Sequence, residues 1–234
     1  MKPDTMFDTS SKNKMNKTDK IGDNHIATHA ETPIRDDAFD LSDADKMHRI
    51  ENNMKDILLT LGMDLTDDSL QGTPKRVAKM FVQEIFDGLH PDKRPRMSTF
   101  ENKFKYNQML VEKDIAVHST CEHHLLPIIG KAHIAYISSG TVIGLSKLNR
   151  IVNYYAKRPQ VQERLTVQIV QDLQKVLQTE DVACIIDAKH MCVITRGIED
   201  ADSSTLTAEY GGKFKDPLVR REFLDYLQME NDKD

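Results

Sequence analysis

The sequence predicts an α+β fold, with helices packed on an antiparallel sheet. Three observations carry this reading. Up to Gly88, apolar residues recur at three- and four-residue steps, the period of helices with one buried face. From Phe104 the period shortens, and residues such as Ile115 and Val117 alternate with polar neighbours. Beyond that point strands and helices follow one another without strict β-α-β alternation, and no internal repeat is present.

The elements follow in order. Residues 1–40 are rich in Lys, Asp, Asn, Thr and Ser without a sustained period, so they read as a flexible extension. Residues 41–100 form an N-terminal helical region. Ser42 and Asp45 make a capping pattern, Met47, Ile50, Met54, Ile57, Leu58 and Leu61 make the apolar stripe, and Gly62 closes it. Thr73-Pro74 starts a second helix with Thr as N-cap; Val77, Phe81 and Ile85 follow, and Gly88 ends it. Pro91 to Arg96 reads as a loop.

Residues 101–234 read as a further domain, the one with the strands. Lys131–Ile137 reads as a strand, Ser138-Ser139-Gly140 as a turn and Thr141–Gly144 as a short return strand. Ser146 caps a helix through about Ala156, and Pro159 opens a longer one carrying Val161, Leu165, Ile169, Leu173 and Val176. Val182–Asp187 and His190–Thr195 read as two strands joined at Ala188-Lys189. Pro217 opens a last helix through Leu227.

Composition narrows the function. The chain has 234 residues and a formal net charge of -5, against a generally basic nucleic-acid binder. Trp is absent and aromatics are 6%, which argues against a base-stacking platform. No segment approaches the ~18 apolar residues of a membrane span. The N-terminal lysines precede no apolar core, so no secretory signal is expected. Three cysteines cannot build a disulfide framework and fit a reducing compartment, the cytoplasm.

The stretch Cys121-Glu122-His123-His124 carries the chemistry. Cys121 and His124 stand at a common metal-ligand spacing. A strand at His190-Met191-Cys192 would point His190 and Cys192 to one face. Cys121, His124 and Cys192 then make three donors suited to Zn²⁺, leaving one position for an acidified water. His123 and His190 remain as proton carriers. Spacing leaves open a rival, a closed structural zinc site with His123 or His190 as fourth ligand. Cys184, in the apolar run Val182–Ile186, reads as a buried small hydrophobe. No Cys-x-x-Cys occurs, which excludes a cytidine-deaminase-type site.

Basic residues suggest an anion site. Lys147 and Arg150 share a helical face near a helix N-terminus, Arg196 follows the His-x-Cys segment, and Arg76 sits in the first turn of the second helix. Glu163 lies in an unusually polar helix start and could accept from the N1–H and 2-amino edge of guanine, a donor pair that adenine lacks.

These motifs together resemble the zinc-dependent GTP cyclohydrolase I family. The residues that carry the resemblance are Cys121–His124, Gly144–Arg150, Arg158–Thr166 and His190–Cys192, with Thr73–Ala78 as the early helix. It covers about Ser42 to Leu227. The resemblance implies conversion of GTP and water to formate and 7,8-dihydroneopterin triphosphate, the first step towards pterins and folate. It implies Zn²⁺ on Cys121, His124 and Cys192, with water adding at purine C8 and His123 protonating N7. It gives His190 and Ser146 later proton transfers. Glu163 would hold guanine with Gln162 and Leu145 nearby, while Lys147, Arg150 and Arg196 hold the triphosphate and a neighbouring subunit supplies Arg76. It also implies the tunnelling fold, whose barrel is completed by oligomerisation into a homodecamer of two pentamers. Glu199 and Asp202 set negative charge near Arg196, outside the family pattern.

Overall fold

The structure, a computed structural model, describes residues 30–229. Of the expected extension, residues 1–29 lie outside the described residues; residues 30–40 pack on the body, where Phe39 meets His90 edge to face. Helix α1 (Asp43–Thr60) starts as expected, with the Ser42 hydroxyl accepting from the Asp45 N–H at 3.1 Å. A short α2 (Asp68–Gln71) leads to α3 (Thr73–Met80). Thr73 is not the N-cap: Gly72 takes that place, and the Thr73 hydroxyl accepts from Arg76 instead. Nor does the helix run evenly to Gly88. It widens into a π-turn at Phe81–Ile85 and closes with a 3₁₀ turn at Asp87–Leu89. Gly88 is required for close packing, because a Cβ there would meet the Tyr154 carbonyl oxygen at 2.1 Å. The expected loop after it contains a 3₁₀ turn at Pro91–Lys93.

A five-stranded sheet carries the rest. Its strands are β2 (Met109–Cys121), β3 (Pro127–Ile137), β5 (Pro159–Gln160), β6 (Val182–His190) and β7 (Thr205–Tyr210), in the order β5-β2-β3-β6-β7. All neighbours are antiparallel except β5, which pairs in parallel with β2 through Thr120 and Cys121. The sheet is therefore mixed, because Pro159 does not open the long helix. Pro159-Gln160 is drawn onto β2, and α5 (Gln162–Leu177) begins only after Val161. The expected hairpin after β3 is also different. β4 (Thr141–Ile143) does not fold back on β3 but pairs with β1 (Thr99–Glu101) in a separate ribbon. Helix α4 (Leu145–Ala156) is preceded by Gly144, so Ser146 lies inside its first turn and caps nothing.

The largest correction concerns residues 182–195. β6 continues without a turn through Ala188 and Lys189, which pair with Gly130 and Ile129. The chain then makes one helical turn, α6 (Met191–Ile194), closed by the Thr195 N–H on the Met191 carbonyl. Cys192 is helical and shares no strand face with His190. The last helix, α7 (Pro217–Gln228), is capped by Asp216.

Both faces of the sheet are covered. Along β6, Cys184 and Ile186 enter the main core with Leu165, Ile169 and Leu173 of α5. Ala183 and Ile185 enter a smaller cluster with Phe214 and Phe223 beneath α7. This two-residue alternation between two cores explains why the run Val182–Ile186 is apolar throughout. Cys184 is fully buried, and burial pushes its thiol pKa up. Among the described residues no helix is long and apolar enough to cross a membrane. Leu173 is 0% exposed, so Leu173→Ala should cost about 2–5 kcal/mol and lower the thermal melting midpoint. An unchanged midpoint would show that α5 is not held by this core.

Candidate active site

Sheet topology brings distant residues together. β2 and β6 are both antiparallel to β3, so they run in the same direction and end on the same side. Their ends lie two strand spacings apart, roughly 10 Å. Cys121 ends β2 and His190 ends β6. The α6 turn then carries Cys192 back across this gap.

The loop after β2 is tightly pinned. The Cys121 N–H donates to the Leu126 carbonyl at 2.8 Å, and the Leu125 N–H to the Cys121 carbonyl at 2.9 Å. Leu125 takes a left-handed conformation, φ 54°, to make this reversal. The Glu122 N–H donates to the Gln160 carbonyl of β5. Cys121, His124 and Cys192 thereby present donor atoms within 4.8 Å of one another. Zn–S bonds of about 2.3 Å place tetrahedral ligands roughly 3.8 Å apart, so small side-chain adjustments close this set on one ion. Among the described residues the donor group has these three members, and neither His123 nor His190 joins it. Burial, followed by the neighbouring Cys121, pushes the Cys192 thiol pKa up. Thiols ligate a metal as thiolates, so a cation seated here would replace their protons. Arg196 is the basic group on the cluster, with Nη1 2.8 Å from His124 Nε2.

The proton carriers have distinct supports. His123 is exposed, with Nδ1 3.8 Å from Cys121 Sγ and Nε2 3.9 Å from the Glu122 carboxylate. Glu122 is in turn held by both terminal guanidinium nitrogens of Arg164, which is buried on α5. His190 Nε2 lies 2.8 Å from Gln162 Oε1. Burial lowers the His190 imidazole pKa, and the Glu163 carboxylate opposes the shift.

The remaining predicted residues are spread more widely. Glu163 is exposed at the start of α5, beside the buried Gln162. Leu145, Ser146 and Arg150 are exposed on α4, and Lys147 is half-buried there. Arg150 opens on a small cleft of about 190 Å³ shared with Lys93 and Lys157. Arg76 stays on its own helix start, donating to the Ser69 carbonyl and Thr73 hydroxyl. A larger apolar cleft of about 770 Å³ lies between the N-terminal helices and the His123 loop, reaching Glu122, His123 and Leu125 but none of the three metal donors. The sequence reading missed Arg164. Its signal was the spacing Arg164, Gln168, Asp172, a polar line four residues apart beside the apolar line Leu165, Ile169, Leu173.

Comparison with known proteins gives the family. A family model described as GTP cyclohydrolase I matches residues 50–228. GTP cyclohydrolase 1 of Flavobacterium johnsoniae is 68% identical over 212 residues, covering 91% of this chain and 95% of that protein. The enzyme of the same name from Vibrio parahaemolyticus is 53% identical over 199 residues, covering 85% and 91%. That from Aeromonas salmonicida is 52% identical over 199 residues, covering 85% and 90%. Fold, site and relatives together define an enzyme, a hydrolase. The chain belongs to the GTP cyclohydrolase I family, and GTP is its substrate.

The Glu122–Arg164 pair gives a prediction. Arg164→Met leaves the Glu122 carboxylate without its main partner in a partly buried place and should cost about 1–3 kcal/mol. Thermal unfolding at neutral pH measures it; a shift within error would mean that the pair contributes nothing net.

Proposed function

We propose that this enzyme converts GTP and water to formate and 7,8-dihydroneopterin triphosphate, the first step of pterin and folate biosynthesis. The observation that carries the reading is the set of three donors within 4.8 Å beside His123, in a chain whose residues 50–228 match the family. Cys121, His124 and Cys192 hold Zn²⁺. Bound there, Zn²⁺ supplies Lewis-acid chemistry that acidifies a water molecule towards neutral pH.

The chain's own residues do the rest. His123 gives a proton to purine N7 as the imidazole ring of GTP opens at C8. His190 and Ser146 move protons while the ribose rearranges and the new ring closes. Glu163 accepts from the guanine N1–H and 2-amino groups, with Gln162 and Leu145 nearby, and a carboxylate there discriminates against adenine, which lacks that donor pair. Lys147, Arg150 and Arg196 hold the triphosphate, and Arg76 reaches it from a neighbouring subunit. In the chain as described, Arg76 donates to its own Ser69 carbonyl and Thr73 hydroxyl. The assembly is a homodecamer of two pentamers in the cytoplasm, with sheets of the tunnelling fold joined edge to edge; the outer edge of β7, where Leu206 is 65% exposed, is suited to such pairing.

The test is incubation of metal-analysed protein with GTP, followed by formate detection and pterin fluorescence. GTP should yield both products and ATP neither; no formate from zinc-loaded protein refutes the reading. Cys192→Ser should lose bound zinc and turnover together. His123→Ala should keep zinc and lose at least about 100-fold in kcat. If zinc leaves as well, His123 is a ligand and its role as a proton donor fails.

A further inference from the structure

Gln162 is 1% exposed, and every polar atom of its amide has a protein partner. Its Nε2 donates to the Ile186 carbonyl at 3.0 Å, the Thr205 carbonyl at 2.8 Å and the Thr207 hydroxyl at 3.1 Å. Backbone carbonyls have no hydrogen to give. Only the NH₂ end of the amide can face them, and a half-turn of the amide would set oxygen against oxygen twice. The orientation of Gln162 is therefore fixed by backbone atoms rather than assigned by convention.

The neighbouring hydroxyls agree with this direction. Thr166 Oγ1 donates to the Gln162 carbonyl at 2.8 Å, so its hydrogen is committed. Thr207 Oγ1 lies 2.7 Å from Thr166 Oγ1 and must supply the hydrogen of that contact. Thr207 then keeps a lone pair for the Gln162 amide. The two Gln162 amide hydrogens are then spread over three acceptors, one of them shared, and both threonine hydroxyl hydrogens are committed.

The consequence falls on His190. Gln162 Oε1 is left facing His190 Nε2 at 2.8 Å, and an amide oxygen only accepts. We propose that Gln162 is a positioning residue that keeps a hydrogen on His190 Nε2, so that Nδ1 alone exchanges protons with the substrate. This holds for the neutral and the charged ring, because both carry hydrogen at Nε2. It rests on the reading of His190 as a proton carrier, and it turns Gln162 away from guanine: an amide with both ends engaged inside the protein has none to offer a ligand.

Two experiments test it. Neutron diffraction from deuterium-exchanged, zinc-loaded wild-type crystals should show deuterium on His190 Nε2. A bare Nε2 overturns the proposal, whatever the activity. Gln162→Met removes the acceptor at similar volume; kcat for GTP should fall about 100-fold while KM stays within about threefold. A tenfold or greater rise in KM at unchanged kcat would mark Gln162 as a substrate contact and overturn the proposal. Should Gln162→Met fail to fold, the neutron result on the wild-type protein decides. If the wild type makes no formate from GTP, the functional reading falls while the deuterium position still tests the assignment.

Discussion

Helix α5 must satisfy its polar side chains inside the protein, and that constraint organises the rest of the structure. Gln162, Arg164, Gln168 and Asp172 are all buried on it. A buried polar group without a partner costs about 1–3 kcal/mol, more when charged, so each recruits one from another segment. Arg164 takes Glu122 in the loop after β2. Gln168 takes Gln160 in β5. Asp172 takes Arg94 from the loop before β1 and the Tyr155 hydroxyl from α4. Gln162 ties the middle of β6 and the start of β7 to the helix. One helix thereby fixes six separate pieces of chain by charge and hydrogen bonding, while its apolar line holds it to the sheet.

The first turn of α5 divides this work among consecutive residues. Gln162 turns inward and sets His190, Glu163 remains at the surface, and Arg164 turns inward to Glu122 beside His123. Side chains about 100° apart on a helix point to different neighbours, so three adjacent positions serve three purposes. Proton carriers need geometry held to a fraction of an ångström, and a buried hydrogen-bond network gives that rigidity better than a surface loop.

Much of this was legible in the sequence, for reasons that differ by element. The α1 cap at Ser42 and the start of α7 at Pro217 are local chemistry, a side-chain oxygen on a free N–H and a ring that presets φ, and they stand where residue type placed them. Cys121 and His124 meet through one short turn, so spacing sufficed for them. Cys192 joined the cluster as expected, yet from a helical turn rather than a strand, since a short run such as Met191–Ile194 has no period long enough to tell the two apart. Pro159 looked like a helix start because proline suits that position. Its pairing with β2 depends on residues nearly forty positions earlier, which no local pattern contains.

By itself the sequence determined which chemistry was available: two thiols, an imidazole, two further histidines and a run of polar residues at one helix start. Residue type dictates donor softness, charge and hydrogen-bonding capacity, and these do not wait for folding. The tertiary structure alone decided which of these groups share a point in space. Two antiparallel steps across β3 restore the direction of β2 in β6, so residues some seventy positions apart finish at the same end of the sheet. Burial then settled the direction of each hydrogen bond, because once water is excluded a donor must find an acceptor within the fold.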